Sequence, residues 1–171
     1  MADTTQKLVG RHKRLAFMEI EEGKFVRMTG FTSLGESKSS KEYSRQYVDE
    51  STERTDVVGY ATGIGYEFDR YTNNEVHNKI SDISDNETVG TDAQVKILSA
   101  DLFGEGATDT TAPARLRTYS VIPDSSGDST DALTYGGNFK AASEITIGTA
   151  TTADGWQTCT FEKTGTESTN Q

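Results

Sequence analysis

The chain has 171 residues, of which 33% are hydrophobic, and it carries a formal net charge of −10. This length is most simply one domain, whose core is thin because the mean hydropathy is only −0.63. The acidic balance disfavours sequence-specific binding of nucleic acid, since such binding needs clustered Lys and Arg side chains to neutralise phosphates. The single cysteine, Cys159, excludes a disulfide within the chain, and we expect it to be a buried thiol.

No apolar run approaches the roughly 18 residues that a membrane helix needs. The N-terminal segment contains basic residues but no apolar stretch long enough for a signal peptide. We therefore expect no membrane insertion, and a protein that is made and stays soluble in the cytoplasm until it assembles.

The first third of the chain is dominated by alternation of apolar and polar residues, which is typical of β-strands. Residues 15–20 and 25–31 predict a pair of strands joined by a hairpin turn at Gly23. The segment 32–41 is polar and predicts a loop. Residues 42–49 then predict a third strand.

The next predicted strand, residues 58–68, has two very different faces. One face carries large side chains, namely Val58, Tyr60, Thr62, Ile64, Tyr66 and Phe68. The opposite face carries small ones, namely Gly59, Ala61, Gly63 and Gly65. Either another backbone approaches this small-residue face closely, or the glycines mark bulges or a sharp bend.

The pattern changes in the segment 72–87, where Val76, Ile80 and Ile83 form an apolar stripe with helical spacing. Thr72 and Glu75 have the spacing of a capping box, and a glycine follows the predicted end at position 90. The stripe is narrow, so we expect a short helix that lies on a sheet.

Strand patterns resume after the helix. They predict strands at residues 93–103, 115–122, 142–149 and 156–163, with long loops at 104–114 and 123–138. The last segment, 164–171, is predicted to be disordered. Eight strands and one helix indicate a mainly β fold, a β-sandwich or barrel of two packed sheets flanked by one α-helix, spanning 1–163 as one domain.

Candidates for catalysis and metal binding are few. The two histidines, His12 and His77, accompany no nucleophile motif, and we expect each to be exposed or to cap a helix. Two acidic clusters consist of Asp82, Asp85 and Glu87, and of Asp124, Asp128 and Asp131. Neither cluster matches a calcium-binding loop, so we expect solvated acids. We predict no catalytic, cofactor-binding or metal-binding residue, and no enzyme.

Tyrosine and arginine alternate near the third strand. Tyr43, Arg45 and Tyr47 are predicted on one strand face, and charged residues follow. Such side chains suit an interface because they bury a large area while their polar tips stay paired. The alternative is a surface strand with ordinary cross-strand pairs.

Residues 41–103 resemble the major tail tube proteins of long-tailed, siphovirus-type bacteriophages, in particular those of Gram-positive hosts. The likeness includes the strand "EYSRQYVDE", the strand beginning "TDVVGY", a short helix containing "EVH" and a closing "DLF". It covers over a third of the chain directly.

The resemblance implies a fold of two packed β-sheets flanked by a helix. It also implies hexameric rings that stack into a hollow tube through which DNA passes into the host. The protein would then be a virion component made in the host cytoplasm. Its implied partners are further copies of itself, the tape measure protein, the tail terminator and the baseplate or tail-tip proteins. DNA would pass transiently and without specific binding, so we expect a channel wall of net negative charge.

On this resemblance, two groups of residues become assembly candidates. The candidates for the assembly interface are Tyr43, Arg45, Tyr47, Asp49, Glu53, Arg54, Gly59, Gly63 and Gly65. The candidates for an inter-ring loop are Ser33, Gly35, Glu36, Lys38 and Lys41.

Several other functions are compatible with the same residues. The chain is also compatible with the inner tube of a contractile tail or of a tail-like bacteriocin. A capsid decoration protein or a ligand-binding β-sandwich module is a further alternative. A small hydrolase is the least supported alternative, because no nucleophile is found beside a base.

Overall fold

The computed structural model describes residues 5–127 and 130–164. Its strands are β1 (Arg14–Glu21), β2 (Lys24–Arg27), β3 (Phe31–Arg45), β4 (Arg54–Asp69), β5 (Gln94–Asp101), β6 (Thr111–Ser126), β7 (Thr134–Ala141), β8 (Thr146–Thr151) and β9 (Thr158–Lys163). The helix α1 (Glu75–Asp85) lies between β4 and β5, and short 3-10 helices cover Arg11–Lys13 and Gly90–Ala93.

All nine strands belong to one antiparallel sheet in the order β3-β4-β7-β6-β5-β1-β2-β9-β8. The long strand β6 also pairs with β8, so that β6, β5, β1, β2, β9 and β8 close into a six-stranded barrel. The remaining strands β7, β4 and β3 extend outward from β6. The predicted mainly β fold with one helix is confirmed, and its layers are parts of one continuous sheet.

The strands shared by both layers are buried on both faces. Phe17 and Met18 are adjacent on β1, both fully buried, and belong to two different core clusters. The first cluster combines side chains of β1, β4, β5, β6, β7 and α1, and includes Phe68. The second lies in the closed barrel and contains Trp156 and Cys159, which is buried as predicted. Successive side chains of a strand point to opposite faces, so the same strand contributes apolar residues to both cores.

The predicted helix is confirmed, and its apolar stripe of Val76, Ile80 and Ile83 is buried against the sheet. The predicted cap is wrong, because the side chain of Asn74 accepts hydrogen bonds from the backbone N–H groups of Val76 and His77 at 3.1 and 3.2 Å. Asparagine is among the best N-cap residues, and this position leaves Thr72 outside the helix.

The predicted loop 32–41 is wrong. These residues belong to β3, which pairs with β4 from Phe31 opposite Phe68 to Arg45 opposite Arg54. The predicted strand 42–49 accordingly ends at Arg45. Backbone hydrogen bonds to β4 sustain this strand although its side chains are polar and largely exposed, and for that reason composition alone indicates a loop.

The sequence patterns did not predict β7, which lies largely within the segment 123–138 that was predicted to be a loop. Its sequence contains the pair Gly136 and Gly137, which disfavours a strand. The glycine at 137 is required by close packing. A Cβ there would lie 2.5 Å from the carbonyl oxygen of Ile122 and 2.8 Å from the hydroxyl of Tyr66.

The other predicted strands correspond to β1, β2, β4, β5, β6, β8 and β9 with shifted ends. Among the described residues, no helix is long and apolar enough to cross a membrane. The predicted disordered segment 164–171 lies outside the described residues except for Thr164, whose backbone N–H donates to Ile147 at 3.1 Å.

Candidate assembly surface

The hairpin formed by β3 and β4 extends well beyond the rest of the sheet. β7 pairs with β4 only from Gly63 to Asp69, so residues 54–62 have β3 as their single neighbour among the described strands. The outer edge of β3 has no partner strand within 5–127 and 130–164. We call residues 38–62, which comprise the two strand ends and the loop 46–53, the arm.

The arm exposes an unusual amount of apolar surface. Its exposed apolar side chains are Tyr43, Tyr47, Val48, Val57, Val58 and Tyr60, each at least 45% accessible. Single exposed apolar residues are normal on a protein surface, whereas a contiguous patch marks an interaction site. Tyr43 and Tyr60 lie on opposite faces of the hairpin, so the six residues are exposed apolar positions spread over the arm, and they make it a candidate contact surface.

The contacts within the arm are weak ones. The guanidinium of Arg45 lies 5.2 Å from the ring centre of Tyr43, and the hydroxyls of Ser44 and Thr55 are 2.9 Å apart. Such exposed cross-strand pairs contribute about 0.2–1 kcal/mol each. A two-stranded hairpin without a packed face is marginally stable in water. A partner surface would therefore add substantially to the order of the arm.

The structure brings the predicted interface side chains together at the far end of the arm. Tyr43 and Arg45 lie on one face of β3, as predicted. Tyr47, Asp49 and Glu53 lie in the loop 46–53, beyond the end of the strand. Arg54 begins β4 opposite Arg45, and its guanidinium pairs with Glu50 at 3.1 Å. Their role as an interface stays a prediction.

The predicted small-residue face is present on β4 at Gly59, Gly63 and Gly65. The pairing register shifts between Lys41 and Glu42, which places a bulge beside Gly59 and confirms that alternative there. At the other two glycines the pairing is regular. A Cβ at Gly63 would lie 3.4 Å from the carbonyl oxygen of Phe139 and 3.5 Å from the Lys140 side chain, which is ordinary contact, so β7 lies beside this face without excluding a Cβ.

The candidates for an inter-ring loop are strand residues. Gly35 and Lys41 lie opposite Gly65 and Gly59 on the small-residue face of the hairpin. Glu36 and Lys38 lie on the other face, where their side chains pair at 3.6 Å. Ser33 pairs with Glu67 near the base of the hairpin. The contact that these residues make with another ring stays a prediction.

A cleft with cationic walls was not predicted from the sequence. It has a volume of ≈ 310 Å³ and lies between β1, β3, β5 and β6. Its cationic lining residues are Arg11, Arg14, Lys38, Arg115 and Arg117, and its acidic lining residue is Glu36. The sequence shows the basic runs "RHKR" and "RLR", which could have suggested a cationic site, but only the fold brings them together.

One carboxylate, that of Asp101, neutralises part of the positive charge of the cleft. Asp101 accepts a hydrogen bond from Arg14 at 2.7 Å and pairs with Arg115 at 3.6 Å. The hydrogen bond to Asp101 raises the pKa of Arg14. Arg11 and Arg117 instead donate to backbone carbonyls, for Arg117 to that of Ser143 at 2.7 Å. Carbonyls fix these guanidinium groups in place without neutralising their charge.

His77 is neither exposed nor a cap, so that prediction is wrong. Its side chain is fully buried and its ring stacks on Phe68 at 4.3 Å. Nδ1 accepts from the backbone N–H of Tyr71 at 3.1 Å, and Nε2 donates to the carbonyl of Thr29 at 2.7 Å. Burial lowers the pKa of His77. The neutral ring therefore ties α1 to the segment between β2 and β3. The position of His77 next to Val76 of the apolar stripe was the sequence feature that could have predicted its burial.

The acidic clusters do not form a metal site in the part of the chain that is described. No group of three or more His, Cys, Asp or Glu side chains within 5–127 and 130–164 is arranged to hold a metal ion. Asp85 accepts instead from the hydroxyl of Tyr135 at 2.9 Å, which ties the end of α1 to β7. Asp128 of the second cluster lies outside the described residues.

Comparison with known proteins yields structural neighbours only. No protein-family profile matches the sequence, and no curated protein matches it. One neighbour is a chain in the cryo-EM structure of the anti-feeding prophage (AFP) baseplate, 6-fold symmetrised, with a TM-score of 0.54 and 9% identity over 84% of this chain and 97% of that one. Another is a chain in the cryo-EM structure of the AFP tube terminating cap, with a TM-score of 0.51 and 14% identity over 86% and 98%. At these identities the likeness is one of fold, and the chain shares that fold with components of a phage-tail-like particle.

Proposed function

We propose that this chain is a structural protein of a phage tail, in which copies of it form hexameric rings that stack into a hollow tube for DNA passage. The observation that carries the proposal is the arm, whose outer strand edge has no partner strand among the described residues and whose apolar side chains are exposed. The fold shared with AFP components supports the same assignment at the level of architecture.

The unpaired edge of β3 is the strongest physical argument. A strand of 15 residues whose outer edge faces no other strand among the described residues is a template for pairing with another chain. Monomeric proteins shorten, twist or cover such edges. Here the edge continues into an arm with exposed tyrosines and valines. Pairing with another copy would satisfy the edge and cover these side chains. A head-to-tail contact of this kind closes into a ring or propagates a filament.

We propose the number six and the location on the basis of the structural neighbours and the sequence resemblance. The AFP baseplate structure is 6-fold symmetrised, which supports rings of six. The protein would be a virion component, with the tape measure, terminator and baseplate or tail-tip proteins as further partners. The fold is equally compatible with a contractile or a flexible tail tube.

Electron microscopy of purified variants tests the proposal. We expect rings or hollow filaments from the unmodified protein and none from the variant Val57→Lys/Tyr60→Lys, which places two charges on the arm. The matched control is Val89→Lys/Leu133→Lys, because these residues are as exposed but lie outside the arm. Equal assembly of all three proteins would contradict the proposal, as would persistent monomers of the unmodified protein at high concentration.

A second candidate is a ring that terminates a tube without extending it. The observation in its favour is that the two structural neighbours come from a baseplate and from a tube terminating cap. Closed rings that never stack, at any protein concentration, would favour this function over the tube.

A further inference from the structure

We propose that the cationic cleft receives the acidic loop 46–53 of a second copy of this chain. The inference rests on the proposed function, which requires contacts between copies, and it assigns the two surfaces that meet. The cleft is the concave surface lined by Arg11, Arg14, Lys38, Arg115 and Arg117. The loop is the far end of the arm.

The charges of the two surfaces are complementary. The chain as a whole is acidic, with a net charge of −10, yet five cationic side chains meet in the cleft. Asp101 pairs with two of them and Glu36 with Lys38, so the cationic side chains outnumber these two acids. The loop 46–53 contains Asp49, Glu50 and Glu53 and no Lys or Arg; Glu50 pairs with Arg54 at 3.1 Å, so Asp49 and Glu53 carry the remaining negative charge of the loop. Complementary potentials of this kind fix the register of an interface and speed its formation.

The apolar parts of the two surfaces also correspond. Leu15, Met28 and Ile97 line the cleft among the cationic side chains, and Ile145 stands 43% exposed at its wall. The loop presents Tyr47, which is 47% exposed, and Val48, which has no cover. A cavity of ≈ 310 Å³ is at the lower end of the range for ligand sites and would admit side chains of this size.

The occupant cannot be the loop of the same molecule. Lys38, at the base of the arm, lines the cleft itself, and β3 continues for seven residues from there to Arg45. At a rise of about 3.3 Å per residue, the loop begins about 23 Å away from that point. Because β3 and β4 are paired over this distance, the arm cannot fold back on its own base. The contact must therefore be between molecules.

The first experiment is a charge exchange measured by sedimentation of the full-length protein. The cleft variant is Arg11→Glu/Lys38→Glu, the loop variant is Asp49→Lys/Glu53→Lys, and a third protein carries all four changes. We expect each double variant to raise the dissociation constant of self-association at least about tenfold, and the fourfold variant to recover most of that loss. Circular dichroism melting checks that every variant is folded.

The control for total charge is Glu21→Lys/Glu22→Lys, which changes the charge as the loop variant does but at the exposed end of β1 and in the turn that follows it. This control should associate at least as well as the unmodified protein. Double variants that associate normally, or a fourfold variant without recovery, would overturn the inference. In both cases rings and filaments could still form, so the proposed function would stand.

The second experiment detects the contact without requiring a ring. Val48→Cys protein is mixed with Ile145→Cys protein under mild oxidation, and the mixed disulfide dimer is measured on a gel. The natural Cys159 is buried and does not compete. We expect more mixed dimer than from Val48→Cys with the exposed Val89→Cys, which lies outside the cleft. No excess would overturn the inference, whereas an excess without rings or tubes in the microscope would count against the proposed function alone.

Discussion

Cys159 illustrates how the fold decides the chemistry of a single residue. It faces the barrel core, where burial raises the pKa of its thiol to about 12. The reactive species is the thiolate, which at pH 8 would be about one part in ten thousand at that pKa. The burial of this residue was predictable from the sequence, since a lone cysteine in a strand pattern is typically an apolar core residue.

We expect the native thiol to be inert. Treatment with a chromogenic disulfide reagent at pH 8 should give no colour within an hour, because both burial and protonation protect the sulfur. The same protein in concentrated urea should release one equivalent per chain. Rapid, stoichiometric reaction of the native protein would show that the barrel opens or that Cys159 is not in its core.

His77 makes stability depend on pH. Its pKa in the folded chain is lowered by burial, so the unfolded chain binds more protons in the window below pH 6.5. The stabilising contribution of the neutral ring is therefore complete above pH 6.5 and is lost as the pH falls toward the folded pKa. The slope from one such group is at most about 1.4 kcal/mol per pH unit.

We predict that His77→Gln flattens this dependence. Urea unfolding at pH 7.5 and at pH 5.5 should show the unmodified protein losing stability on acidification, while the variant, less stable at both values, loses less. The carboxylates titrate in both proteins and cancel in the comparison. If the two proteins lose the same free energy between these pH values, the titration of His77 does not control stability.

Among the secondary-structure elements, the sequence patterns predicted correctly the ones that bury one face and expose the other. The stripe of Val76, Ile80 and Ile83 located α1, because a helix on a sheet must bury one narrow face. The patterns failed where pairing, not burial, sustains the strand. Residues 32–41 are polar and exposed except for Leu34, which is half-buried, and pairing with β4 holds them extended. Strand β7 was not predicted because Gly136 and Gly137 disfavour a strand, and of these two Gly137 is required by close packing against β6 and Tyr66.

The arm is the element whose function can be tested by a single side chain. Tyr47 is half exposed in the loop 46–53, and we expect Tyr47→Ala to raise the concentration needed for assembly by about tenfold, as loss of an anchoring aromatic side chain does. The melting temperature of the monomer should be unchanged, since the side chain packs on no core cluster. Light scattering against concentration measures the effect.

Val89→Ala serves as the comparison variant for that experiment, because Val89 is more exposed than Tyr47 and lies outside the arm. It should assemble at the same concentration as the unmodified protein. An unimpaired Tyr47→Ala protein would show that this tyrosine is not an anchor.

The cationic cleft shows the limit of prediction at a site. Its side chains come from three separated segments, around Arg11, around Lys38 and around Arg115. The sequence shows each group of charges but not their meeting, which depends on β3 crossing near β1 and on β5 and β6 forming the opposite wall. The predicted residues of the arm, in contrast, come from one continuous segment of the chain, so the sequence alone could predict that they lie close together.

At the scale of the whole molecule, net charge opposes assembly. Each copy carries −10, so copies repel one another at distances beyond the local contact between cleft and loop. The screening length falls from about 30 Å at 0.01 M salt to about 8 Å at 0.15 M. Salt in this range removes the long-range repulsion while short, partly buried ion pairs persist.

We therefore expect assembly to increase as salt rises from about 0.01 to 0.15 M. Sedimentation velocity at fixed protein concentration measures the fraction in large species, and potassium chloride and sodium chloride should act alike. A monotonic loss of large species across this range would show that attractive charge pairs outweigh the repulsion.

The central claim is that the open strand edges of the arm become paired when copies meet, and hydrogen–deuterium exchange measures this directly. Backbone amides of 38–45 and 54–62 should exchange rapidly in dilute monomer and become protected on assembly, while the amides of the barrel strands are protected in both states. An arm that exchanges equally fast in dilute and concentrated protein, or an assembly that protects other surfaces and leaves the arm unprotected, would contradict the account.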